Sequence, residues 1–157
     1  MNVIHHSAVC VRDVDASLRF WRDGLGFDVI MDERFEGDWP TLLGSASTSL
    51  RAVFLGDRAH PESGIVELVY FGEPMESAGP QPGSPRPGIL LVSVMTDVGA
   101  VLDRLARLGL GGTPRRIEVS GIAMAVVVDP DGVLVELVDS GATANLGRIT
   151  GPAEIRP

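Results

Sequence analysis

The residues best suited to chemistry in this chain are two glutamates in identical surroundings, Val66-Glu67-Leu68-Val69 and Val135-Glu136-Leu137-Val138. A carboxylate at the centre of an apolar tetrapeptide is costly to bury unless it is paired, hydrogen-bonded or bound to a metal. Glu67 and Glu136 are therefore expected to face a pocket, as cation ligands or as bases. Without a cation, two carboxylates sharing one pocket repel each other, and the one whose pKa rises becomes a base for proton transfer. His6, in the first apolar run, adds an imidazole suited to ligation or proton transfer, while His5 points to the opposite strand face. Arg51 lies among Leu50, Ala52, Val53 and Phe54. There a guanidinium either binds a substrate carboxylate or phosphate or turns outward.

Other reactive types have plainer readings. Cys10 follows His6 at strand period and is expected to pack as a small hydrophobe. His60 sits in a loop beside Pro61 and Glu62 and reads as a solvated surface residue. Trp39 either covers a ligand or staples its own loop. The run at 108–112 (LGLGG) lacks the strand context of a dinucleotide fingerprint and reads as a turn.

Composition narrows the function classes. The net charge of −8 disfavours nucleic acid and anionic membranes, which require a concentrated basic surface. All 13 cations are arginine, so Schiff-base lysine chemistry is excluded. With one cysteine no internal disulfide forms, and no stretch approaches the roughly 20 apolar residues of a membrane span. The expected location is cytoplasmic.

These side chains must be positioned by a repeat. Asp13, Val14, Ala16 and Leu18 recur as Asp97, Val98, Ala100 and Leu102, each set following an apolar run, 3–11 and 88–95. The runs predict strands and the aspartates predict helix N-caps. Val14, Leu18, Trp21 and Leu25, and then Val98, Leu102 and Leu105, fall near a 3.6 period. Further strands are predicted at 27–35, 49–55, 113–119 and 122–128, and the two Val-Glu-Leu-Val runs close the modules. The turn Asp129-Pro130-Asp131-Gly132 predicts a hairpin. The fold class is therefore α+β, one domain over 1–139, with two tandem β-α-β-β-β modules forming a curved mixed sheet around a cup-shaped pocket. Module 1 spans 3–72, a Pro/Gly-rich linker 73–87, module 2 88–139, and a tail without periodicity 140–157. The inserted segment 36–48 is a candidate lid.

The pattern His-x-x-x-x-Val-x-Asp-Val over 6–14, Phe-Trp-x-x-x-Leu-Gly-Phe over 20–27 and the Asp-Pro-Asp-Gly turn leading to Glu136 resembles the vicinal oxygen chelate superfamily, the glyoxalase, bleomycin-resistance and extradiol dioxygenase group. That resemblance implies a divalent metal (Mn, Zn, Fe, Ni or Mg) held by His6 and Glu67 from one module and by Leu90 and Glu136 from the other. Leu90 has no lone pair to donate, so four-ligand glyoxalase coordination is incomplete. One histidine and two carboxylates do not match the two-histidine triad of an extradiol iron site either. The reading that follows is a glyoxalase-like isomerase or lyase of a small carbonyl or hydroxy compound, using His6, Glu67 and Glu136, with Arg51 and Leu90 lining the substrate site. The alternative is a ligand-sequestering protein of the bleomycin-resistance kind, and an extradiol-type dioxygenase comes third. A homodimer is expected.

Overall fold

The computed structural model describes residues 4–72, 87–119 and 121–142. Most of the linker and the tail beyond 142 fall outside the described residues. Module 1 runs β1 (His6–Cys10), α1 (Val14–Leu18), a π-helical continuation (Arg19–Gly24), β2 (Asp28–Glu36), α2 (Trp39–Leu43), β3 (Ser49–Gly56) and β4 (Ile65–Tyr70). Module 2 runs β5 (Val92–Thr96), α3 (Val98–Leu108), β6 (Gly111–Val119), β7 (Ile122–Val128) and β8 (Leu134–Asp139). Each module is a four-stranded sheet, ordered β1-β4-β3-β2 and β5-β8-β7-β6. The first and last strands of each module pair in parallel and the others antiparallel. This is the expected α+β double module.

The helices start where the sequence dictates. Asp13 Oδ1 accepts from the backbone N–H of Asp15 and Ala16, and Asp97 Oδ1 from that of Ala100, satisfying donors a first turn leaves free. α3 ends at Gly109 in the left-handed region, φ 67°, where a Cβ would be strained. In module 1 the ladder widens after Leu18, with Leu25 N–H donating to Phe20 O, a π-type i→i+5 spacing. That wider turn lets the adjacent Phe20 and Trp21 both reach 0% exposure.

One apolar core joins the modules, taking Val14, Leu18 and Trp21 from module 1 helices and Val98, Leu102 and Leu105 from α3, together with one face of each sheet. Two polar clamps reinforce it. The Asp129–Gly132 turn reaches module 1: Arg12 Nε donates to Asp131 Oδ1 (2.9 Å), Ser17 Oγ to Asp131 Oδ2 (3.1 Å) and Trp21 Nε1 to Asp129 Oδ2 (3.3 Å). At the other end Arg104 Nε and Nη2 donate to the carbonyls of Gly24 and Leu25, which the helix end leaves without intrahelical partners. The curved mixed sheet structure expected from the repeat is built as two four-stranded sheets, one per module. Helix packing and side-chain clamps, not backbone ladders, hold the modules together.

Candidate functional site

Ladder register decides which side chains share a face, because directly opposed residues in a sheet project to the same side. In module 1 Glu67 is opposed by Ala8 on β1 and Phe54 on β3. His6, two residues before Ala8, is on that same face. This face lies away from α1 and α3, since its neighbours Val66 and Leu68 are the ones in the core with those helices. His6 Nε2 stands 2.9 Å from Glu67 Oε2, with the histidine side chain 34% exposed and the glutamate 13%. His5 Nδ1 lies 2.7 Å from His6 Nδ1. A neutral His6 that donates from Nε2 to Glu67 therefore accepts at Nδ1 from His5. The His6 ring meets Phe54 edge to face at 5.5 Å. His5, assigned above to the opposite strand face, precedes β1 and reaches His6 from there.

In module 2 Glu136 is opposed by Ser93 on β5 and Val126 on β7. Ser93 Oγ donates to Glu136 Oε2 at 2.8 Å, so this carboxylate too is hydrogen-bonded rather than isolated. Leu90 falls short of β5, which begins at Val92, and is 53% exposed. Counting back from the helix caps matches His6 with Leu90. Counting along the ladders instead matches Ala8 with Ser93, and therefore His6 with Leu91. Module 2 has one residue fewer between strand and cap. The first-strand position is aliphatic in either count.

The substrate role expected of Arg51 meets a different geometry. Arg51 is opposed by Tyr70, on the helix side of the sheet, and its guanidinium makes a bidentate pair with Asp32 at 2.8 and 2.7 Å. That pair holds the Asp32 carboxyl below its ordinary range through the Arg51 hydrogen bond. Cys10 shares the face of His6 but is not packed in the core; partial desolvation of its sulfur, and then Asp131, push its thiol up, which disfavours a nucleophilic thiolate. His60 is exposed in its loop and bonded to Asp57. The 36–48 segment folds as α2, capped by Asp38. Trp39 packs with Phe54 and Phe71 on a small apolar cluster of Leu50, Ala52 and Val69. Ser93 and this aromatic cluster escaped sequence reading. The parallel pairing of β5 with β8 is the signal that exposes Ser93, and the antiparallel pairing of β3 with β4 the one that exposes Phe54.

The donor set of one chain does not fit a metal of the kind the superfamily resemblance implies. His6 and Glu67 are bonded to each other, Glu136 is bonded to Ser93 in the other sheet, and Leu90 and Leu91 offer no lone pair. Among the described residues no group of three or more His, Cys, Asp or Glu could hold an ion. No helix among them is long and apolar enough to cross a membrane.

Comparison with known proteins agrees with the fold and the motifs. The lactoylglutathione lyase-like protein terB of Aspergillus terreus is 36% identical over 155 residues, covering 92% of this chain and 79% of the relative. Glyoxalase I of Leishmania major superposes with a TM-score of 0.66 at 21% identity, covering 95% of this chain and 94% of that one. A glyoxalase family protein of Bacillus cereus gives 0.69 at 16% identity, covering 87% and 92%. Residues 3–137 match the model of the Glyoxalase/Bleomycin resistance protein/Dioxygenase superfamily, and the chain belongs to that superfamily.

Proposed function

We propose that the chain is an isomerase or lyase of a small α-hydroxy carbonyl compound, acting by proton transfer at the Glu67–His6 pair. The observation that carries this reading is the 2.9 Å contact between the two side chains on the sheet face turned away from α1 and α3. The second oxygen of Glu67 takes the proton α to the carbonyl. The C–H electron pair forms the C=C bond of an enediolate while the carbonyl π pair moves to its oxygen; the proton of the neighbouring hydroxyl passes to that oxygen, and Glu67 returns a proton, exchangeable with solvent while it holds it, to the former carbonyl carbon. His6, donating from Nε2, orients the carboxylate as a positioned partner of a general base does. Glu136, held by Ser93, is the second polar contact for the substrate. The name of the Aspergillus relative, lactoylglutathione lyase-like, supports the reaction class.

The assembly we propose is a homodimer. Met95, Ile117 and Val119 share the face of Glu136 by register and are 45%, 62% and 50% exposed. Such apolar area calls for cover, and a second copy would also screen the reacting groups from water. Light scattering should return twice 16.6 kDa; the monomer mass would refute it. The reaction is tested by incubating α-hydroxy ketones with the protein in D₂O and following the α-C–H resonance. Catalysed loss of that signal is expected, and a protein inert toward the whole set would fit ligand sequestration instead, the reading that the donor-poor first strand of module 2 favours.

A further inference from the structure

Taking Glu67 and His6 as the reacting pair, as proposed above, we propose that the substrate is an uncharged aromatic carbonyl compound whose ring lies on the Phe54–Trp39 side of that pair. Phe54 is the direct cross-strand neighbour of Glu67 and touches the His6 ring edge to face. Beyond it, Trp39 and Phe71 pack with Phe54 on the cluster of Leu50, Ala52 and Val69. In a chain with only 5% aromatic residues, three rings are thus gathered on the face of one sheet that turns away from α1 and α3. An aromatic group set there meets rings that favour offset or edge-to-face contact. α2, which supplies Trp39, is the segment that module 2 lacks.

Charge excludes the obvious alternative. By register the faces turned away from α1 and α3 carry Asp28, Glu33, Glu67 and Glu136 against one arginine among the described strand residues, Arg115. Arg115 stands two strands from Glu136, about 10 Å across the sheet. Arg34 and Arg51 lie on the other face, where Arg51 is engaged by Asp32. A glutathione conjugate brings two carboxylates and would need cations that these strands do not supply; net-negative surroundings repel it.

Calorimetric titration of the full chain with 2-hydroxyacetophenone, hydroxyacetone and S-hexylglutathione tests this. The first two share their reacting atoms and differ in the ring. We expect 2-hydroxyacetophenone to bind at least about tenfold tighter than hydroxyacetone, Trp39→Ala and Phe54→Ala each to reduce that preference severalfold, and S-hexylglutathione to bind more weakly than the aromatic ketone. Phe54→Leu, which keeps the site filled, should lose the preference with the melting temperature retained, guarding against a misfolded alanine variant. Equal affinity for the two ketones, a preference untouched by these substitutions, or tighter binding of S-hexylglutathione would overturn the proposal. Binding is read without turnover. An aromatic preference with no α-proton exchange would sink the reaction and leave the ligand class standing, and exchange without preference would do the reverse.

Discussion

Replacing Asp131 by alanine should loosen the docking of the two modules by a measurable and assignable amount. Asp131 accepts from Arg12 Nε at 2.9 Å and from the Arg12 backbone N–H at 3.2 Å, and it receives the Ser17 hydroxyl at 3.1 Å. Its own side chain is 8% exposed and that of Arg12 42%, so solvent screens the pair only on one side. Ser17 is fully buried, yet its hydroxyl keeps an alternative acceptor in the Asp13 carbonyl at 3.0 Å. No buried donor is therefore orphaned on that side, and the cost reduces to the half-screened charge-assisted bonds with Arg12. We expect about 2 kcal/mol, or a fall in Tm of roughly 4–8 °C for a chain of this size. Urea denaturation of Asp131→Ala, Arg12→Ala and the double variant gives the coupling directly, and at least about 1 kcal/mol should be shared between the two sites. A loss below about 0.5 kcal/mol, or strict additivity, would refute the clamp.

Asp129 is pushed up by burial, against the hydrogen bonds it accepts from Val133, Asp131 and Trp21. Its ionised form is thus disfavoured by folding, and stability should fall as pH rises from the ordinary aspartate range through the higher folded value; Asp129→Asn should remove that component of the pH slope in urea midpoints, and an unchanged slope would contradict it. Gly24→Ala would bring a Cβ within 2.5 Å of Leu105 Cδ2, so a loss of about 1–3 kcal/mol is expected by overpacking, measured by the same denaturation. Arg51→Ala should leave ketone affinity within about twofold, because Arg51 is bound to Asp32 on the helix side. Calorimetric titration with Mn²⁺, Zn²⁺ and Fe²⁺ should show no saturable stoichiometric binding, and Leu90→His should not create it, since Leu90 precedes β5; saturable binding in wild type would contradict the donor-set argument.

What the sequence made legible follows from locality. The Asp13 and Asp97 caps, the helix stripes and the Asp129–Gly132 turn are decided by neighbours a few residues apart, and each is present. The buried environment of Glu67 was also readable, because its flanking valines and leucine announce a strand. The module relation was harder. Two offsets run through the repeat, one for strand and one for helix, so counting from the caps selected Leu90 while the ladder selects Leu91, with Ser93 beside Glu136. The face of Arg51 hinges on strand phase: a one-residue slip exchanges the two faces, and Arg51 alone could not reveal that Asp32 waits on β2. Separation into two sheets rests on side chains over 100 residues apart, Arg12 with Asp131 and Trp21 with Asp129, which no local pattern encodes.

The most direct test of the account is the rate of α-proton exchange from 2-hydroxyacetophenone in D₂O, compared between wild type and Glu67→Gln. The amide keeps the size of the side chain and an acceptor for His6 but removes the base. General acid–base catalysis supplies about 10²- to 10⁴-fold, so exchange should fall by at least about 10²-fold, with ketone affinity nearly unchanged. Exchange that continues at the wild-type rate in Glu67→Gln would contradict the assignment of Glu67 as the base.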